Sequence, residues 1–210
     1  MIPELSSLSV CMRDPQRVEE IIKAMQKAGT STIQVISDFD MTLTRFAYNG
    51  KRCPPSHNIL NNSRLISEEC KAQLKDLLNT YYPIEIDSKW TVEEKLPLMV
   101  DWWTKAHTGA AAHQERPAAG SLPAVFSNYM DFDETGLKSR HNVLLVGDSL
   151  GDLTMADGVH SIEDILKIGF LNDKVEERKT SYLNAYDIVL VKDETMEVPN
   201  ALLLHLTSTK

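Results

Sequence analysis

The chain has 210 residues, 42% of them hydrophobic, which is enough to bury the core of one or two domains. Its net charge of −8 argues against a general surface for nucleic acids or other polyanions, and no apolar run approaches the ~20 residues of a membrane span. The three cysteines have no metal-binding spacing, so we expect reduced thiols in a cytoplasmic, monomeric protein without nucleic-acid or membrane partners.

Local signals predict a helix and then a strand near the start of the chain. The helix begins at Pro15, with Asp14 as its N-cap, and ends before Gly29. The first core strand follows at 32–37, where apolar and β-branched residues form a continuous run.

Two further helices are predicted before residue 108. The first runs from Ser67 to about Leu78, with acidic residues in its first turn. The second begins at a capping box formed by Thr91 and Glu94 and has one apolar face. The Ala- and Gly-rich segment 108–122 has no periodicity and is predicted to be a linker.

Strands and helices alternate in the last part of the chain. Strands are predicted at 124–127, 143–146, 168–171 and 187–191, and helices at 150–156, 162–167, 173–184 and 196–206. This alternation is typical of an α/β protein with a parallel, doubly wound sheet.

Two of the predicted strands each lead into a pair of aspartates. The run I-Q-V-I-S is followed by Asp38 and Asp40, and the run V-L-L-V is followed by G-D-S-L-G-D, which contains Asp148 and Asp152. In an open α/β sheet, ligands bind at the carboxyl ends of the strands. Carboxylates that converge there repel one another, and a hard cation such as Mg²⁺ relieves the repulsion. The pattern therefore indicates a metal-assisted phosphate site.

The motifs D-F-D-M-T-L-T and G-D-S-L-G-D resemble the first and last motifs of the haloacid dehalogenase superfamily of phosphotransferases. Further segments are similar to the cytosolic 5′-nucleotidase III family. These segments are Arg45-Phe46, Gly50–Pro54, Tyr81–Asp87, Thr91–Lys95, Met130–Gly136 and Met155–Asp173. The helix sequence W-W-T-K-A-H at Trp102–His107 resembles the branch of that family specific for 7-methylguanosine phosphate.

The resemblance implies a haloacid-dehalogenase-like Rossmannoid core with a small, truncated helical cap. The core would comprise residues 13–44 and 123–210, and the cap residues 45–107. The implied activity is Mg²⁺-dependent hydrolysis of nucleoside 5′-monophosphates, of the 7-methyl-GMP and CMP class, through an aspartyl-phosphate.

The resemblance also implies a role for each candidate residue. Asp38 is the expected nucleophile and Asp40 the general acid and base. Asp38, Asp40 through its backbone carbonyl, and Asp148 are the expected Mg²⁺ ligands. Glu85 and Trp103 are the expected contacts to the base.

Some of these roles have competing interpretations. Asp152 is as well explained by a supporting or capping role as by metal binding. Glu85 would otherwise be a surface residue on a strand, and the apolar helical position of Trp103 also suits the core.

The chain also differs from the family pattern in two places. A family segment with a strand ending in F-S-A-G, whose Ser binds phosphate, has no counterpart after the W-W-T-K-A-H helix. A second segment, which carries a phosphate-binding Lys, is missing between Gly136 and Asn142. A non-catalytic protein that binds Mg²⁺ or nucleotide is therefore a second interpretation. A receiver-like phosphoacceptor is a third, and the predicted cap and the G-D-S-L-G-D motif argue against it.

Overall fold

The computed structural model describes residues 2–61, 67–87, 89–112, 137 and 139–208. These residues contain seven strands: β1 (Val10–Cys11), β2 (Ile33–Ser37), β3 (Ala47–Tyr48), β4 (Lys51–Arg52), β5 (Asn142–Gly147), β6 (Asp164–Leu171) and β7 (Ile188–Val191). They also contain six α-helices: α1 (Pro15–Ala28), α2 (Ser56–Asn61), α3 (Glu68–Ile86), α4 (Val92–Ala112), α5 (Val175–Ala185) and α6 (Glu197–Thr207).

Five of these strands form one sheet in the order β1-β7-β6-β5-β2. The pairs β2–β5, β5–β6 and β6–β7 are parallel, and the short β1 is antiparallel to β7. Strands β3 and β4 pair only with each other, as an antiparallel hairpin. The predicted α/β class with a parallel sheet is confirmed.

Side chains that alternate along the central strands make a separate apolar layer on each face of the sheet. Leu144 of β5 and Ile168 of β6 belong to the layer that is covered by α1 and α6. Val143 and Leu145 of β5 belong to the opposite face, where α5 contributes Tyr182. Because helices cover both faces, the central strands are apolar on both sides, and all six residues of β5 are buried.

The helix starts follow the capping signals. The side chain of Asp14 accepts a hydrogen bond from the Arg17 backbone N–H at 3.0 Å, and that of Ser67 accepts one from the Cys70 N–H at 3.2 Å. Thr91 forms the predicted capping box, with bonds of 2.9 and 3.3 Å to and from Glu94. These three predictions are confirmed.

The prediction of a helix at 162–167 is wrong, because most of this segment belongs to β6. The spacing of Ile162, Ile165 and Leu166 suits one face of a helix. In the structure, Ile165 and Leu166 lie instead on opposite faces of a strand that pairs with β5 on one side and β7 on the other. Burial on both faces of a sheet removes the polar alternation that would have distinguished the strand.

Two helices extend further than the sequence predicts. Helix α3 continues past Leu78 and through Pro83 to Ile86, and α4 continues to Ala112, into the predicted linker 108–122. The remainder of that segment and the predicted strand 124–127 lie outside the described residues.

The chain divides into two compact units. One comprises Met1–Cys53 and Asp131–Lys210 and contains the five-stranded sheet, and the other is Pro54–Met130 and contains α3 and α4. The domain bounds expected from the sequence stay a prediction. Within the described residues, every helix is too short or too polar to cross a bilayer.

Candidate active site

The aspartates that follow β2 and β5 meet at the carboxyl edge of the sheet. The two strands are parallel and adjacent, with Ser37 opposite Val146, and the Asp38 N–H donates to the carbonyl of Val146 at 3.0 Å. One carboxylate oxygen from each of Asp38, Asp148 and Asp152 lies within 4.8 Å of the others. The structure therefore brings the carboxylates of two predicted metal ligands, Asp38 and Asp148, together with that of Asp152.

The chain turns sharply after Asp38. In the turn, Met41 has a left-handed backbone, with φ of 65°, which costs a residue other than glycine roughly 1–3 kcal/mol. Two hydrogen bonds close the turn: the Met41 N–H donates to the Thr44 hydroxyl, and the Thr44 N–H donates to the Phe39 carbonyl, both at 2.9 Å. Asp40 lies within this turn, at φ −74° and ψ 126°, and its carboxylate is not part of the three-carboxylate cluster.

The carboxylate of Asp152 holds the backbone of the loop that carries Asp148. Its Oδ2 accepts hydrogen bonds from the N–H groups of Asp148 at 2.9 Å and Ser149 at 2.8 Å, and its Oδ1 accepts one from the Ser149 hydroxyl at 2.9 Å. A side chain on Gly147 would collide with Asp152, which explains the glycine before the aspartate. These contacts support the capping interpretation of Asp152.

Burial, and then the crowding of negative charges, raises the pKa values of two of these carboxylates. Burial raises the pKa of Asp148 to about 7, and the negative charges of Asp152 and Asp38 add to the effect. Burial also raises the pKa of Asp38, with further contributions from Asp152 and Asp40. Because these carboxylates repel one another when they are all ionised, a bound cation would stabilise the cluster.

Arg52, at the end of the β3–β4 hairpin, is the basic residue whose charge lowers the pKa of Asp148 and so partly opposes the rise. Its guanidinium lies 3.8 Å from the Asp173 carboxylate and 5.1 Å from the centre of the Phe46 ring. A cavity of about 30 Å³ separates these groups from Tyr182, and a space of this size holds about one water molecule. Arg52 occurs in a segment that carries the family resemblance, but no sequence pattern assigned it a role.

Two tyrosines at the end of α5 reach the same loop. The Tyr182 hydroxyl donates to the Asp148 carbonyl at 2.6 Å, and the Tyr186 hydroxyl donates to the Ser149 carbonyl. Both rings are almost fully buried and stack with their centres 5.6 Å apart. Sequence reasoning missed them. Tyr182 lies in the last turn of α5 and Tyr186 directly follows the helix, so their spacing of four residues is a weak local signal that they act together.

The cluster fits a divalent cation. Its ligand atoms are carboxylate oxygens, which are the ligands that Mg²⁺ prefers, and Mg²⁺ needs few protein ligands because it retains several waters. Most hydrogen-bonding positions of the Asp152 carboxylate are used by the loop, so Asp38 and Asp148 offer the better ligands.

Glu85 and Trp103 belong to the second unit. Glu85 lies in the last turn of α3 and not on a strand, and its side chain is exposed. Trp103 lies on α4 with 61% of its surface exposed, so the alternative that it is a core residue is wrong. Its ring lies 6.4 Å from that of Trp102, which stacks on Tyr81 at 5.9 Å. The roles of both residues at the base stay predictions.

Comparison with known proteins gives one consistent result. Residues 41–119 and 134–207 match the family model described as pyrimidine 5′-nucleotidase (UMPH-1). The chain is 44% identical to the 7-methylguanosine phosphate-specific 5′-nucleotidase of Homo sapiens, over 98% of this chain and 96% of the relative. It is 42% identical to the protein of the same name from Gallus gallus, over 98% of this chain and 99% of the relative. A crystal structure of cytosolic 5′-nucleotidase IIIB bound to cytidine superposes with a TM-score of 0.76 and 27% identity, over 98% of this chain and 96% of that chain.

The alignments also bear on the missing segments. They extend over 288 residues for the human relative and 287 for the chicken relative, although this chain has 210. Such alignments contain long gaps in this chain. The family model likewise matches in two parts, separated at 120–133. Both findings agree with internal deletions relative to these proteins.

Proposed function

Because the chain belongs to the UMPH-1 pyrimidine 5′-nucleotidase family, we propose that it is a Mg²⁺-dependent 5′-nucleotidase that acts on nucleoside 5′-monophosphates of the 7-methyl-GMP and CMP class. The names of two similar proteins support this substrate class: one is specific for 7-methylguanosine phosphate, and the other was crystallised with cytidine. We also propose that the protein is cytoplasmic and monomeric.

The observation that carries the proposal is the cluster of Asp38, Asp148 and Asp152 at the carboxyl edge of the sheet. A lone acidic cluster has many explanations, but this one follows two parallel strands of a doubly wound sheet, where such folds bind their ligands. The raised pKa values of Asp38 and Asp148 support the proposal, because buried acids perturbed by neighbouring charges are common at functional sites.

In the proposed reaction, a carboxylate oxygen of Asp38 attacks the phosphorus, and the bond from phosphorus to the ribose O5′ breaks. Asp40 donates a proton to the departing ribose oxygen. It then accepts a proton from the water that attacks the aspartyl-phosphate, which releases inorganic phosphate and restores Asp38. The closed turn around Met41 fixes the backbone between the two aspartates and therefore their relative positions.

Asp38, the backbone carbonyl of Asp40, and Asp148 would hold the Mg²⁺. When bound, the ion neutralises charge on the phosphoryl group and on the crowded carboxylates. Asp152 keeps the Asp148 loop in place through its three hydrogen bonds. Because the pKa of Asp148 is about 7, protons compete with the metal near neutral pH.

We further propose that Glu85 and Trp103 contact the base. A carboxylate accepts hydrogen bonds from the N1–H and amino group of guanine, and an exposed indole ring stacks on a cationic methylated base. The exposure of both side chains in this structure is compatible with that role.

A second candidate function is that of a catalytically impaired member of the family, which binds Mg²⁺ or nucleotide without efficient turnover. The gapped alignments favour it. The family resemblance implies that the missing segments carry the phosphate-binding Ser and Lys. Phosphoryl transfer depends on donors that hold the non-transferred oxygens, and their loss reduces the rate even when the nucleophile remains.

Phosphate release from 7-methyl-GMP and CMP, measured with Mg²⁺ and with chelator, tests the proposal. We expect release that requires Mg²⁺ and disappears in Asp38→Asn, while Asp157→Asn, the same change at an exposed position, retains it. Release that persists in Asp38→Asn would exclude Asp38 as the nucleophile. Mg²⁺ and nucleotide binding without release would identify the impaired form.

A further inference from the structure

We propose that Tyr182 and Tyr186 are positioning residues, which lock the backbone of Asp148 and Ser149 so that the Asp148 carboxylate stays beside Asp38. The proposal rests on the proposed function in one respect, the role of Asp148 as a metal ligand. The locking itself is a property of the fold and can be tested separately.

Every polar main-chain group of Asp148 and Ser149 has a side-chain partner. The N–H groups of Asp148 and Ser149 both donate to Asp152, at 2.9 and 2.8 Å. The two carbonyls accept from the hydroxyls of Tyr182, at 2.6 Å, and Tyr186. All four main-chain groups are therefore bound by side chains: Asp152 binds the two N–H groups, and the tyrosines bind the two carbonyls.

The two tyrosine side chains are themselves held rigidly by the protein around them. Only 3% of Tyr182 and 2% of Tyr186 is exposed, and the two rings stack. The Tyr186 ring lies directly against Gly169 of β6, where an added Cβ would approach a ring carbon to 2.6 Å. A ring enclosed in this way cannot change its rotamer without moving the sheet, so its hydroxyl is a fixed point.

The Tyr186 ring lies close to the candidate metal site, because Gly169 is next to the strand end that leads to Asp148. Gly169 pairs in register with Gly147, the residue immediately before Asp148. Asp152 packs against Gly147 and Tyr186 against Gly169. Gly147, at the end of β5, and its partner Gly169, two residues before the end of β6, thus leave the space in which the side chains of Asp152 and Tyr186 pack next to the predicted metal ligand.

The hydroxyls also remain donors over the whole physiological pH range. Burial raises the pKa of both tyrosines, and the nearby Asp148 and Asp152 charges raise it further.

The test uses the intact 210-residue chain with Tyr182→Phe and Tyr186→Phe, singly and together. These changes remove the hydroxyls but keep the buried rings. Tyr48→Phe, the same change at an exposed position in β3, is the matched control. Amide hydrogen exchange of the peptide that contains Asp148 and Ser149 is measured without metal, and Mg²⁺ binding is measured by calorimetry without substrate.

We expect exchange in that loop to become about fivefold faster in each single variant, since each loses a buried hydrogen bond. Exchange in α1 should stay as in the control. We expect the Mg²⁺ dissociation constant to rise roughly tenfold, as is common when a group supporting a metal ligand is removed.

If the loop exchanges no faster in the two single variants and the double variant than in Tyr48→Phe, the tyrosine hydroxyls do not hold the loop in place and the proposal is refuted. Faster exchange with an unchanged Mg²⁺ dissociation constant would overturn the positioning role and leave only a structural contact. A wild-type chain that binds no Mg²⁺ would refute the metal in the proposed function, whereas the exchange result would still decide the lock.

Discussion

Removal of the Asp148 carboxylate should stabilise the metal-free protein at neutral and higher pH. The folded state raises the pKa of Asp148 from its ordinary 3.8 to about 7, so it binds this proton more tightly than the unfolded chain does. Stability is therefore fully present below the unfolded value and falls as the pH rises from about 4 to about 7. Asp148→Asn cannot titrate and should not lose this contribution.

The size of the effect follows from the shift. A rise from 3.8 to about 7 corresponds to roughly 4 kcal/mol, at about 1.36 kcal/mol for each pH unit. We reduce this to about 2 kcal/mol because Asp148 is only partly buried and solvent screens its charge. For a chain of this length, about 2 kcal/mol changes the melting temperature by roughly 4–8 °C.

Thermal melts with chelator at pH 5 and pH 8 measure this difference. About three fifths of this contribution titrates between pH 5 and pH 8, so the melting temperature of Asp148→Asn should exceed that of the wild type by a margin roughly 2–5 °C larger at pH 8 than at pH 5. Asp157→Asn, at an exposed position, is the control. Asp38 and Asp187 also have pKa values raised by burial, so the variant should reduce the pH dependence and not abolish it.

Saturating Mg²⁺ should make the wild type more stable than Asp148→Asn, which reverses the order expected without metal. The wild type should gain about 2.7 kcal/mol at a concentration 100 times the dissociation constant, and Asp148→Asn should gain much less. An equal margin between variant and wild type at pH 5 and pH 8 would refute the electrostatic argument. Equal gains with Mg²⁺ would refute the assignment of Asp148 as a ligand.

Three further predictions concern packing, specificity and rate. Gly169→Ala should lower stability by about 1–3 kcal/mol, because its methyl group would meet the Tyr186 ring, whereas Gly158→Ala, with open space around it, should not, as thermal melts would show. In a full-length relative, Trp103→Tyr with Ala106→Ser should move the ratio of kcat/KM from 7-methyl-GMP towards CMP, and an unchanged ratio would remove Trp103 from the base site. Phosphate release by this chain should be far slower than by such a relative, because the loss of one preorganised donor commonly costs about 10²–10³ in rate; a rate within about tenfold of the relative would contradict this.

The sequence predicted the parts of the fold that depend on local signals. Three helices have N-termini that are capped by Asp14, Ser67 and Thr91, through hydrogen bonds between residues fewer than four positions apart. Such local bonds correspond directly to a pattern in the sequence. The meeting of Asp38 and Asp148 was also predictable, because two apolar runs that end in aspartates place them at one edge of a parallel sheet.

The parts that depend on distant partners could not be predicted in this way. Strand β6 has helical spacing at its start and is made a strand by its neighbours on both sides. Tyr182 donates to a main-chain carbonyl 34 residues away, and a carbonyl has no sequence signature. The left-handed backbone at Met41 is likewise imposed by the turn, since methionine has no preference for it.

The tyrosine contacts have a consequence for the order in which the site is completed during synthesis. A nascent chain that has reached the end of β6 already contains Asp38, Asp148 and Asp152, yet it lacks both hydroxyls that fix the Asp148 loop. Helix α5 must be made and packed on the sheet before that loop acquires its final geometry. A product that stops before Tyr182 would contain every acidic residue of the motif but not the tyrosines that we propose align them. The acidic motif is therefore synthesised before the site can take its final geometry.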